Sequence, residues 1–172
     1  MPRLYVVATP IGNLGDMSPR AIETLKSVDL IAAEDTRVTR ALLNHFGIDT
    51  PCVSNHQHNE EHRAASLPER MIAEELSVAV VTDAGTPCIS DPGSVLAREA
   101  AAAGIEVVAV PGPTARASAL SVSGFDVREF AFYGFLPRGK KELRVSCSPC
   151  TPPACRWAWC TNPRTASLSL RA

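Results

Sequence analysis

No apolar run in the 172 residues is long enough to cross a bilayer. Met1-Pro2-Arg3 leads into an apolar stretch that breaks off too soon for a signal peptide. The expectation is a soluble cytoplasmic protein. An excess of basic residues is also missing: the net charge is −1 and the pI about 6.4. That argues against a strongly basic protein that coats nucleic acid, although a local basic patch would not show in the total. There is no internal repeat. There is no G-x-G-x-x-G string and no Walker A lysine, so a nucleotide phosphate cradle is not indicated. Cysteine is sparse over most of the chain, with Cys52 and Cys88 alone in the first 144 residues. Cys147, Cys150, Cys155 and Cys160 crowd the end, and Cys147-x-x-Cys150 is the kind of pair that starts a zinc site.

What is present suits a globular core. Apolar residues make up 45% and charged residues 20%. The length allows one ordinary domain and the start of another. Residues 3–9 read as a short buried strand closed by Pro10 and Gly12. Ser18-Pro19 opens a helix, with Ser18 as N-cap and Pro19 at the first helical position. Residues 30–33 give a second strand, and Thr36 to Phe46 a helix stopped by Gly47. A polar stretch from His58 to Leu76 has helical spacing, and residues 78–81 form another apolar strand. Asp91-Pro92 opens a helix to about Ala103, stopped by Gly104. Residues 107–110 are the next strand, with a helix opening at Pro113 or Thr114. Strands apolar on both faces that alternate with helices predict an α/β fold, a parallel sheet flanked by helices. The aromatic run from Phe130 to Leu136 reads as the first strand of a second domain. The expected division is therefore a domain over 1–125, a linker and strand over 126–144, and an irregular, disordered tail over 145–172.

Three loops follow the predicted strands: Thr9 to Asp16, Asp83 to Gly93, and Pro111 to Ala115. Ligands of open α/β sheets bind at the carboxyl ends of the strands. Glycine there allows close backbone approach and proline stiffens the loop. A small cofactor could be held by main-chain groups on such a rim. Tight turns are the plainer reading of any one loop, and three on one edge weigh against it. Two polar clusters stand nearby, Glu34-Asp35-Thr36-Arg37 and His56 to Glu61. The three histidines 56, 58 and 62 invite a metal reading, but no carboxylate spacing fixes a metal geometry, so a solvated loop is favoured. Glu34 and Arg37 either pair locally at a helix start or face a substrate.

Taken in order, these strings resemble the tetrapyrrole methylase superfamily of S-adenosylmethionine enzymes. They are most similar to its ribosomal branch, the small-subunit rRNA 2′-O-methyltransferase I family. The carriers are Leu4 to Asp16, Ala33 to Arg37, His58-Asn59-Glu60, Thr82 to Pro87 with Ile89 to Gly93, Val110 to Ala115, and Phe132 to Pro137. The resemblance covers residues 3–144. Gly85-Thr86-Pro87 points to the ribosomal branch, because the tetrapyrrole branch carries Gly-Asp-Pro there. The resemblance implies a two-domain α/β enzyme with S-adenosylmethionine between the domains. By position, Gly85, Thr86, Pro87, Ile89, Ser90, Thr114 and Ala115 would line the donor site, with Pro10 and Gly12 at the base of the cleft. It further implies methylation of a cytidine ribose in 16S rRNA of the small ribosomal subunit, a homodimer, no metal and no membrane. A ribose hydroxyl must be aligned with the sulfonium methyl and lose its proton. Glu34, Asp35, Arg37 and Glu60 are candidates to hold or deprotonate it, with the base unassigned among them.

Residues 145–172 depart from the family pattern. Shifting the reading frame of GC-rich codons for Arg156 to Ala166 can yield Tyr-Glu-Ser-Pro-His-Arg, a string the family carries in its second domain. The two tryptophans, with one codon each, limit the freedom of that exercise. The expectation is a frameshift near residue 145 and a truncated second domain, with activity impaired. The competing expectations are a non-catalytic remnant, a methylase of corrin or porphyrin precursors, and a zinc module built from the tail.

Overall fold

The computed structural model describes residues 1–56, 60–126, 128–135, 158–161 and 168–169. It divides into two compact units, Met1–Ala115 and Arg116–Ala172. In the first unit five strands form one sheet: β1 (Arg3–Val7), β2 (Leu30–Ala33), β3 (Cys52–Ser54), β4 (Val78–Val81) and β5 (Glu106–Val110). Their order is β3-β2-β4-β1-β5, and every pairing is parallel. β2 and β4 are buried at every residue. A strand covered on both faces has no polar side to show, which is why these runs lack alternation.

Side chains alternate between two cores, as the period of two in a strand requires. Val7, Ile31, Ala33, Ala79 and Val81 pack with Leu25 of α1 (Pro19–Ser27) and Leu43 of α2 (Thr36–His45). Leu4, Ala32, Val78 and Val80 pack with Leu67 and Met71 of α3 (Glu60–Ala73) and Leu96 of α4 (Ser94–Ala102). The first unit is thus a sheet between two helical layers. Ser18 caps α1, accepting from the Ala21 N–H at 3.1 Å, and Pro19 sits in the first turn. Asp35 caps α2 in the same way, accepting from the Arg37 N–H at 2.8 Å.

Three local expectations change. β3 is a strand that the pattern did not signal; it is three residues long and only half-buried. α4 starts at Ser94, behind a Gly93 N-cap, and not at Asp91. Gly93 itself has a left-handed backbone, φ 116°, so the chain is still turning where a helix was expected. α3 ends at Ala73, short of the expected Leu76, and contains Pro68, whose missing N–H removes one helical bond.

The second unit holds most of α5 (Ala115–Ser121) and a sheet of β6 (Ala131–Phe135), β7 (Ala158–Thr161) and β8 (Leu168–Ser169). β6 is the strand expected from the aromatic run. The Arg116 guanidinium lies 4.3 Å from the centre of the Phe132 ring. In the tail the structure describes two short strands: β7 runs parallel to β6 and antiparallel to β8. Cys147, Cys150 and Cys155 of the zinc expectation lie outside the described residues, as do His58 and Asn59. No group of three metal-capable side chains occurs among the described residues. No helix there is long and apolar enough to cross a membrane.

Candidate active site

Because all five strands run parallel, the segments that follow β1, β2, β4 and β5 emerge on one rim. Three of those loops are tied to one another directly. Thr9 and Gly85 exchange both backbone bonds: Thr9 N–H donates to Gly85 O at 2.9 Å and Gly85 N–H to Thr9 O at 3.1 Å. The buried Thr9 hydroxyl donates to Thr82 O at 3.0 Å. The Thr86 hydroxyl donates to Pro113 O at 3.3 Å, joining the third loop. Gly112 closes the approach from β5. A methyl group there would stand 2.9 Å from Ala8 Cβ, so only a hydrogen fits without movement.

The loop after β4 is strained. Gly85 has φ 93°, natural for glycine, but Cys88 and Ser90 adopt left-handed backbones without that freedom. Such strain is held only where the surroundings over-determine it, and it concentrates at binding sites. Ile89, between them, is 46% exposed although it is large and apolar.

A groove of about 300 Å³ opens between the β1 loop and α2. Pro10, Gly12 and Leu14 form one wall, and Val38, Thr39, Ala41 and Leu42 the other. Thr82 and Asp83 complete the lining. A side chain on Gly12 would meet nothing within 4 Å, so its absence keeps the space beside the loop open.

Glu34, at the end of β2, is joined to the end of β4. One of its carboxylate oxygens, Oε2, accepts from the Thr82 hydroxyl and from the Asp83 N–H, the latter at 3.3 Å. In return, the Asp35 N–H donates to Asp83 Oδ1 at 3.2 Å. Burial raises the Asp83 pKa above the ordinary aspartate value, and the Glu34 and Asp35 charges add to that, against the Asp35 N–H bond. Asp35 moves the other way. Hydrogen bonds from the Arg37 side chain and N–H bring it to about 2. The pair is bidentate, with Arg37 Nη2 at 2.8 Å and Nε at 3.2 Å.

The structure therefore brings Pro10, Gly12, Glu34, Asp35, Gly85 and Thr86 together on one rim. Arg37 is on the same edge but 90% exposed and turned onto Asp35. Thr114 precedes α5 and Ala115 is its first residue. Glu60 is the first residue of α3, after the outermost strand β3 and thus farther along the rim than Glu34. Pattern reading missed Asp83. It stands inside a Gly/Pro-rich loop, and only the β2–β4 register, with Ala33 beside Val81, sets it against Glu34.

The fit of these loops to a methyl donor can be judged from their chemistry. Main-chain groups, the hydroxyls of Ser90 and Thr114 and small side chains are available, and no strong anion site is built. That suits a zwitterionic nucleoside better than a polyphosphate.

The family model for Tetrapyrrole (Corrin/Porphyrin) Methylases matches residues 3–146. A Xylella fastidiosa protein named "Ribosomal RNA small subunit methyltransferase I" is 58% identical over 134 residues, which is 78% of this chain and 49% of that protein. A Vibrio cholerae protein of the same name is 51% identical over 143 residues, 83% of this chain and 49% of that one. This chain thus spans about half the length of the curated relatives it matches. Among solved structures, uroporphyrin-III-C-methyltransferase from Thermus thermophilus aligns with a TM-score of 0.57 at 22% identity. The alignment covers 81% of this chain and 64% of that one, a likeness of fold. The chain belongs to the tetrapyrrole (corrin/porphyrin) methylase family, and its relatives there carry the name ribosomal RNA small subunit methyltransferase I.

Proposed function

We propose that this chain is an S-adenosylmethionine-dependent methyltransferase sequence acting on the 2′-hydroxyl of a cytidine in 16S rRNA. The observation that carries the reading is the joining of three Gly/Pro-shaped loops on one rim, through Thr9, Gly85 and Thr86. The relatives' printed names supply the substrate class. The partners in this reading are the small ribosomal subunit and a second copy of the chain.

Gly85, Thr86, Pro87, Ile89 and Ser90 would hold the donor, with Thr114 and Ala115 across from them and Pro10 and Gly12 below. When bound, the donor supplies a methyl group on a positively charged sulfur, already a strong leaving group. The chain's own work is to orient the hydroxyl and take its proton. Thr86 acts here through Pro113, fixing the relative position of two loops. Thr82 and the Asp83 N–H hold Glu34 in one orientation at the rim.

Residues 145–172 are read as out-of-frame translation, which the end of the family match at residue 146 supports. The gene's neighbouring frame should then encode second-domain sequence, and sequencing checks it.

The test is methyl transfer from labelled S-adenosylmethionine to small ribosomal subunits, by this chain and by a frame-restored version. Ribose methylation removes the hydroxyl that attacks the next phosphate, so the labelled site should resist alkaline cleavage. Label recovered in an alkali-stable dinucleotide supports the reading. Label on a base, or none from either protein, overturns it.

A further inference from the structure

Of the nine residues lining the groove between the β1 loop and α2, Asp83 alone is ionisable. None of the four candidates raised by pattern reading lines it. Two of them already serve as fixed acceptors. Glu34 Oε2 holds the Thr82 hydroxyl and the Asp83 N–H. Asp35 caps α2 and is chelated by Arg37. Asp83 accepts one bond among these groups, from the Asp35 N–H to Oδ1.

From this geometry we infer that Asp83 is the proton acceptor of the methyl transfer, with Glu34 as its positioning residue. The inference rests on the proposed reaction. The groove's two walls, Leu14 on one side and Val38 and Leu42 on the other, are apolar and suit the body of one extruded nucleoside. Asp83 and Thr82 give that space its polar end. In the step, the ribose O2′–H bond breaks and its proton passes to the Asp83 carboxylate. The O2′–CH3 bond forms, the S–CH3 bond breaks, and sulfur leaves as a neutral thioether.

The surroundings suit the role. The charged and titratable groups acting on Asp83 are Glu34 and Asp35. Their charges and partial burial make the Asp83 carboxylate a stronger base than an ordinary surface aspartate. Asp83→Asn keeps the acceptor for the Asp35 N–H and removes only the basicity.

Two readouts test this. In carboxyl-detected NMR of the free chain, Asp83 should titrate above the ordinary aspartate range, and Glu34→Gln should lower its midpoint. In the ribosomal-subunit assay, Asp83→Asn should slow transfer by about 10²–10⁴-fold, with the Kd for S-adenosylmethionine within about threefold of wild type. The rate should rise with pH through the Asp83 midpoint, and Glu34→Gln should move that rise to lower pH. An Asp83→Asn variant that transfers at the wild-type rate, or whose loss is matched by lost donor binding, overturns the assignment alone. An ordinary Asp83 midpoint also overturns it. A frame-restored protein with Asp83 intact that binds donor but transfers nothing overturns the proposed reaction and this inference together.

Discussion

At the scale of single residues, Asp35 and Asp83 show how one rim drives two carboxylates apart. Asp35 gains donors: the Arg37 fork and N–H bring it to about 2. Asp83 gains burial and like-charged neighbours, and rises. For Asp35 the folded value lies below the unfolded one. Its contribution to stability is complete above the unfolded value, about 4, and disappears as pH falls through about 2. NMR titration should therefore place its midpoint near 2, and Arg37→Ala should move it up toward the ordinary range. An unchanged midpoint would show that the side-chain bond is not the main cause. Little of this was legible in the linear pattern. Glu34 and Asp35 stood out as a charged cluster beside a helix start. Asp83 did not, because its meaning depends on a neighbour 49 positions away that donates nothing but charge and accepts its N–H.

At the scale of elements, the buried strands were the most legible. β2 and β4 match the expected bounds because a fully covered parallel strand is a continuous apolar run. α1 was legible from its cap, Ser18, and α2 from the Gly47 that stops it. β3 escaped because three half-buried residues carry no period. The start of α4 was misplaced because Asp91-Pro92 has the composition of a helix opening, while Gly93 holds the backbone at positive φ. The cap of α1 can be weighed directly. The Ser18 hydroxyl satisfies the Ala21 N–H, and Ser18→Ala should cost about 1 kcal/mol. Urea denaturation should show a lower midpoint with an unchanged slope. A midpoint equal to wild type would mean that water replaces the cap at no cost.

At the scale of the whole molecule, parallel topology does most of the functional work. The strand order β3-β2-β4-β1-β5 sends every strand end to one edge. Loops that are far apart in the chain, such as those at Thr9, Gly85 and Pro113, become neighbours there. Composition could not show this, but the position of each loop after an apolar strand did. The surface ion pairs contribute little by comparison. Arg3–Glu106 and Arg70–Glu74 are about half exposed, and such pairs give about 0–1 kcal/mol. The fold is held by the two apolar layers on either side of the sheet.

The most direct test of donor binding on this rim is a backbone NMR titration of the chain with S-adenosylmethionine. Shifts should concentrate at residues 9–15, 83–90 and 111–115, while Asp29, Ser77 and Ile105 at the opposite strand ends stay still. Shifts clustered at those opposite ends, with the three loops unmoved, would contradict it.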